Sequence, residues 1–150
     1  MCTLKDIILD INNGKNMKEL FEIVKTYNSD DWKEYNFFSD KKYKKNLVFR
    51  NSNFEVFIIC WKPRQFSPIH DHSENGCILK IIKGELTEYI YNREPLKLIE
   101  LNNLTKNSIG YIDNNQSIHK MINESTENCV SLHIYSPPNF VARIFTPSNN

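Results

Sequence analysis

Apolar residues recur along this chain with two different periods. Leu4, Ile7, Ile8 and Ile11 follow Thr3 at three- and four-residue spacing and give way to Asn12, Asn13 and Gly14, which predicts a short amphipathic helix with a defined start and stop. Met17, Leu20, Phe21, Val24 and Tyr27 predict a second helix, with Lys18, Glu19, Glu22 and Lys25 largely on its other face. From Leu47 the period shortens. FEVFIICW, Phe54 to Trp61, is apolar at nearly every position and rich in aromatic and branched residues, the pattern of a strand covered on both faces. Short strand-like runs follow at 77–82, 86–91, 97–101, 108–112, 119–122, 129–135 and 141–145, most of them parted by glycine, asparagine or proline. Such a succession without intervening helices predicts a closed or sandwiched all-β body behind an N-terminal helical cap. The cap is expected at about residues 3–28 and the barrel at about 47–146, in one domain over 1–150, with a frayed PSNN tail.

Length and charge narrow what such a body can be. A chain of 150 residues can bury a core without disulfides or a metal staple, so a metal here would serve chemistry more than folding. Nineteen Lys and Arg against eighteen Asp and Glu leave a net charge of +1, which advertises neither nucleic acid nor an anionic membrane as partner. KKYKK, Lys41 to Lys45, is a local basic patch whose lysines read mostly as a solvated loop. Charges interrupt the N-terminal MCTLKDIILDI, and no run approaches the roughly 18 apolar residues of a membrane span. A soluble, cytoplasmic monomer is the expectation. Cysteines at 2, 60, 77 and 129 form no C-x-x-C pair, which favours neither a disulfide framework nor a thiolate zinc knuckle. Glycosylation triplets at Asn103, Asn115 and Asn123 are set aside as chance in an Asn-rich chain.

Candidate chemistry begins at SPIHDHSENGC. His70 and His72 are alternate residues, so on an extended strand both would look inward while Ile69 and Asp71 look outward or to the flanks. Two such imidazoles suit a shared metal, hydrogen bonding or solvent. His119, opening the later run HKMIN, would complete a set of three neutral imidazoles that holds a divalent metal and leaves positions open for water, substrate or oxygen. Fe(II), Zn(II), Mn(II) and Ni(II) all suit those donors. In CVSLHIY, Val130, Leu132 and Ile134 alternate with Ser131, His133 and Tyr135, so a polar face either lines a cavity or meets solvent. Cys77 reads equally as a small buried hydrophobe or as a ligand or reactive thiol.

The intervals from His70 through His72 and Cys77 to Gly84 resemble the first signature of the cupin superfamily, and His119 with Asn123 resembles the second. Cys77 stands where that signature carries a carboxylate. With SPIHDH, CILKIIKGELTE, SIHKM and SLHIYSPP in this order, the chain is similar to the cysteine dioxygenase family from about Thr3 to about Phe145. The resemblance implies an all-β, jelly-roll-like cupin barrel with an N-terminal helical cap, and an iron enzyme converting L-cysteine and O2 to cysteine sulfinate. It further implies that His70, His72 and His119 hold Fe(II), and that Cys77 and Tyr135 become joined by a thioether. His133 would orient the Tyr135 phenol, with Ser131 close by, and Tyr43 would line the substrate side.

Several positions depart from the family pattern. Lys45 stands where animal members have an arginine on the substrate carboxylate; a lysine is a mobile point charge where arginine is a planar fork. Lys45 is expected to meet that carboxylate, with Arg50 or Arg64 as substitutes if the register differs. Arg64 replaces a signature glycine, and Asn114 and Gln116 stand where the second signature favours proline and glycine. The chain stops sooner after SPP than animal members do, which would open the pocket or leave a partner chain to complete it. Two alternatives stand beside the leading reading: a dioxygenase for another small thiol, such as 3-mercaptopropionate or cysteamine, and a noncatalytic metal-binding cupin.

Overall fold

A computed structural model describes residues 1–113 and 118–147. Helices α1 (Leu4–Asn12) and α2 (Met17–Lys25) and a 3₁₀ turn (Asp31–Tyr35) precede strands β1 (Lys44–Arg50), β2 (Glu55–Trp61), β3 (Ile69–His70), β4 (Cys77–Lys83) and β5 (Leu86–Asn92). Then come β6 (Lys97–Leu104), β7 (Ile109–Ile112), β8 (Ile118–Ile122), β9 (Cys129–Tyr135) and β10 (Ile144–Phe145). Both helices start on a capping box. Thr3 Oγ1 accepts from the Asp6 amide while Asp6 accepts from Thr3, and Asn16 and Glu19 do the same for α2, which satisfies amides left free at a helix start.

The strands form two five-stranded sheets, ordered β1-β2-β9-β4-β7 and β10-β3-β8-β5-β6. Three central strands of the first sheet are buried on both faces, and strand alternation explains how. Val56, Ile58 and Cys60 of β2, Ile78 and Ile82 of β4, and Val130, Leu132 and Ile134 of β9 pack with Leu4, Ile7, Ile11, Leu20 and Val24 of the helices. Their neighbours Phe57, Ile59, Trp61, Leu79 and Ile81 turn the other way and pack with Leu86 of β5 and Met121 of β8. The helices therefore close the outside of this sheet, and the space between the sheets is left for the site.

Lys80 is the charged exception on the helix-facing side. Its Nζ donates to the carbonyls of Val24, Lys25 and Tyr27 at 3.1, 3.0 and 2.8 Å. Two of these carbonyls belong to the last turn of α2 and the third lies two residues past it, at the end where the helix dipole favours a cation. Gly84 turns the chain from β4 into β5 at φ 76°, where an added Cβ would lie 2.5 Å from the Asn128 carbonyl oxygen. That approach, not the signature alone, demands glycine.

The structure corrects several boundaries. The first strand starts at Lys44, so Lys44 and Lys45 belong to an edge strand and only the earlier part of KKYKK is loop. Charge on an edge strand carries little cost, which is why the pattern hid it. The extended segment at the histidine pair ends at His70, and the run at 141–145 contracts to Ile144–Phe145. Asp71 does not face outward to solvent: it is buried and accepts from the Arg143 amide at 2.6 Å, tying the C-terminal segment to the histidine loop. Asn114, Asn115, Gln116 and the end of the PSNN tail lie outside the described residues.

Candidate metal centre

His70, His72 and His119 converge although the first pair and the last come from distant parts of the chain. β3 pairs with β8 so that His70 lies directly opposite His119, and the loop after β3 swings His72 onto the same spot. One ring nitrogen from each lies within 4.8 Å of the others, and no carboxylate or thiol joins that group among the described residues. His70 Nδ1 donates to the Pro68 carbonyl at 2.8 Å and His119 Nδ1 to the Glu88 carboxylate at 2.8 Å. The Nε2 atoms of both rings are thereby left as acceptors. His72 Nε2 lies 2.9 Å from His119 Nε2, while His72 Nδ1 is buried without a partner.

Burial, reinforced by the other rings, lowers the pKa of His72 and takes that of His119 well below its ordinary value; burial also lowers that of His70. Three neutral imidazoles with converging lone pairs and too few protons between them fit a divalent cation, and three nitrogen donors without a fourth protein ligand leave it open positions. Because His119 is neutral, its contact with Glu88 is a hydrogen bond and not an ion pair. Burial raises the Glu88 carboxyl, against a bond from Asn102 Nδ2 at 3.2 Å that lowers it.

A cavity of about 610 Å³ surrounds the cluster and reaches Tyr43, Lys45, Cys77, His133 and Tyr135. β4 and β9 pair so that Cys77 lies opposite Tyr135. Tyr135 Oη lies 3.1 Å from His133 Nδ1, Ser131 Oγ lies 2.8 Å from His133 Nε2, and Trp61 Nε1 donates to Ser131 Oγ at 2.9 Å. The polar face of β9 thus meets the interior and not solvent. Tyr43 stacks on the Trp61 indole at 4.5 Å between ring centroids. Lys45 opens into the cavity with its ammonium 4.5 Å from the Phe57 ring centroid and 5.0 Å from that of Tyr135. Poor solvation there lowers its pKa, with Glu55 acting in the opposite sense. Arg50 is tied to Glu55 at 2.9 Å, and neither Arg50 nor Arg64 lines the cavity that Lys45 enters.

The family model for cysteine dioxygenase type I matches residues 1–148. The chain belongs to the cysteine dioxygenase type I family. It is 33% identical over 158 residues to cysteine dioxygenase type 1 of Danio rerio, covering 95% of this chain and 79% of that one. Its fold is that of a protein with a double-stranded β-helix domain from Klebsiella pneumoniae, at a TM-score of 0.64 and 18% identity over 79% of this chain and 96% of that one. A sugar phosphate isomerase of the cupin superfamily from Silicibacter pomeroyi superposes at a TM-score of 0.54 and 13% identity, over 64% and 60% of the two chains. The expected cupin barrel with its helical cap is therefore the fold this cysteine dioxygenase family member has. Sequence reading missed three residues of its site. Trp61 passed for core, Asp71 for a flank, and Glu88 sat unremarked in LTEYI. Glu88 had one usable signal: alternation puts it on the inward face of β5 with Ile90, the residue paired to His119.

Proposed function

We propose that this chain oxidises L-cysteine with O2 to cysteine sulfinate, with His70, His72 and His119 holding Fe(II). The observation that carries this is the three-imidazole cluster, without a carboxylate ligand, in a chain of the cysteine dioxygenase type I family. Bound Fe(II) supplies redox chemistry and open positions at which a thiolate and O2 meet. Both oxygen atoms end on sulfur, so the thiol and O2 balance the sulfinic acid without a further reductant.

The chain's own residues bind and orient. Lys45 meets the substrate carboxylate, supported by its ammonium standing inside the cavity, and Tyr43 walls the same side. Indole is a donor only, so the Trp61 bond makes Ser131 Oγ an acceptor and leaves the Ser131 hydrogen for His133 Nε2. His133, kept neutral chiefly by burial, then carries its proton on Nδ1 and donates to Tyr135 Oη. The phenol hydrogen is left for the Cys77 sulfur, to which Tyr135 is hydrogen-bonded. Burial holds Tyr135 well above its ordinary pKa, so it stays a phenol.

Cys77 acts as the partner of Tyr135 and not as a ligand. Burial pushes its thiol up to about 12, and its Sγ lies 3.9 Å from His133 Nδ1. Thioether formation removes the S–H and one ring C–H and passes two electrons to O2. After turnover, a denaturing gel should show a faster-running band that is missing from Cys77→Ser and Tyr135→Phe; a single unshifted band in the parent would exclude the cross-link.

Lys45 also suits 3-mercaptopropionate, which has the carboxylate, and not cysteamine, which lacks it. The proposal includes a monomeric state and a cytoplasmic location; balanced charge and four free cysteines support them. Among the described residues, no helix is long and apolar enough to cross a membrane. Anaerobic reconstitution with Fe(II), followed by oxygen uptake and product assays with the three thiols, tests the activity. L-Cysteine should consume one O2 per thiol and give sulfinate. Bound iron without uptake would establish the noncatalytic reading, and preference for another thiol would reassign the substrate.

A further inference from the structure

The three imidazoles differ on the side away from the cluster, where two have a partner and one has none. His70 Nδ1 meets the neutral Pro68 carbonyl, His119 Nδ1 meets the Glu88 carboxylate at 2.8 Å, and the buried His72 Nδ1 meets nothing. We propose that Glu88 is the acid of this metal site, displaced one imidazole outward, and that it makes His119 the strongest of three unequal ligands. This rests on the Fe(II) reading above.

Glu88 is built for the task. Its side chain is 13% exposed against 6% for His119, so the bond between them is little screened. β5 pairs with β8 on this face with Ile90 opposite His119 and Glu88 opposite Met121, which makes Glu88 the diagonal neighbour of His119. Asn102, on the adjoining β6, donates to the other carboxylate oxygen at 3.2 Å and fixes the rotation of the group. With one oxygen held by Asn102 and the other taking the Nδ1 proton, Glu88 approaches the outer edge of the ring and is not a ligand itself. A carboxylate in that position fixes the tautomer and raises the basicity of the ligating nitrogen. Cys77 occupies the position where the first cupin signature has a carboxylate, so the inner shell is neutral. Glu88 returns a negative charge behind one ligand without filling a metal position or meeting the incoming thiolate.

Glu88→Gln keeps an acceptor for Nδ1 and removes the charge; Glu88→Met removes both. Fe(II) affinity would be measured anaerobically by chelator competition, the potential of the bound iron by redox titration, and the metal-free fold by thermal melting. Glu88→Met should bind Fe(II) about 10- to 100-fold more weakly than the parent. Glu88→Gln should lose less affinity but shift the iron potential to more positive values, because removing negative charge disfavours Fe(III). Both variants should melt, metal-free, within a few degrees of the parent. Parent-like affinity and potential in both, in a protein that still binds iron and turns over, would overturn the inference alone. Equal losses explained by a collapsed metal-free melting point would overturn it in favour of a structural bond. A parent that holds no iron would overturn the Fe(II) reading as well.

Discussion

His72→Ala should retain almost no iron after gel filtration and show no thiol-dependent oxygen uptake. His72 is the most decisive of the three to remove, because its ring makes no hydrogen bond outside the cluster. Losing one of three ligands removes roughly a third of the site's binding energy. Taking the about 10–16 kcal/mol of structural zinc sites as an upper bound for that total, the loss is up to about 10²–10⁴-fold in affinity. His119→Ala would test the same point less well, since it also strands the buried Glu88 carboxylate. Iron content by absorption, oxygen electrode traces and a metal-free melting curve are the measurements. A His72→Ala protein with parent iron content and turnover would remove His72 from the ligand set, and with it the three-imidazole centre.

Lys45→Met should lower kcat/KM for L-cysteine and 3-mercaptopropionate by about 10- to 100-fold, the equivalent of a charge-assisted bond of about 1.5–3 kcal/mol. Cysteamine should be affected little, and iron content should not change. The ammonium is needed in its charged form, and its surroundings lower its pKa. Affinity for the carboxylate thiols should therefore fall as pH rises through that lowered value. Lys45→Arg stays charged throughout and should remove this alkaline loss, while its planar fork changes the apparent affinity for cysteine. Steady-state kinetics with each thiol across pH separate the possibilities. An equal loss for thiols with and without a carboxylate would make Lys45 a structural residue. Unchanged kinetics would move the carboxylate site elsewhere in the cavity.

Much of the fold was legible because its cause is local. The three-four spacing of Leu4, Ile7 and Ile11 is the face that packs on the sheet, and the apolar run Val56 to Trp61 in β2 reflects helices on one side and a cavity on the other. Legibility failed where a residue's environment is not the one its type suggests. Lys44 read as loop, and Lys45, expected at the substrate carboxylate, was placed ahead of the first strand; both lie on an edge strand, which leaves lysine heads free to reach solvent or the cavity. Lys80 gave no sign of its role, since the three carbonyls it meets are backbone groups at and just past the end of α2. Asp71 looked like a flank because its partner, the Arg143 amide, is backbone from the far end of the chain and has no side-chain signature.

By itself, the sequence determined the periods, the capping residues, and which side chains carry imidazole, thiol and phenol. These follow from the geometry of one helix or one strand, where neighbours in the chain are neighbours in space. Tertiary structure decided which of those groups meet. Alternation places Ser131, His133 and Tyr135 on one face, but only the sheet order and register set Cys77 opposite Tyr135, His70 opposite His119, and Glu88 diagonal to His119. Strand pairing is a choice among distant segments made by the burial of the whole body, and a one-residue slip in β4 or β8 would have turned Cys77 or His119 away from the site.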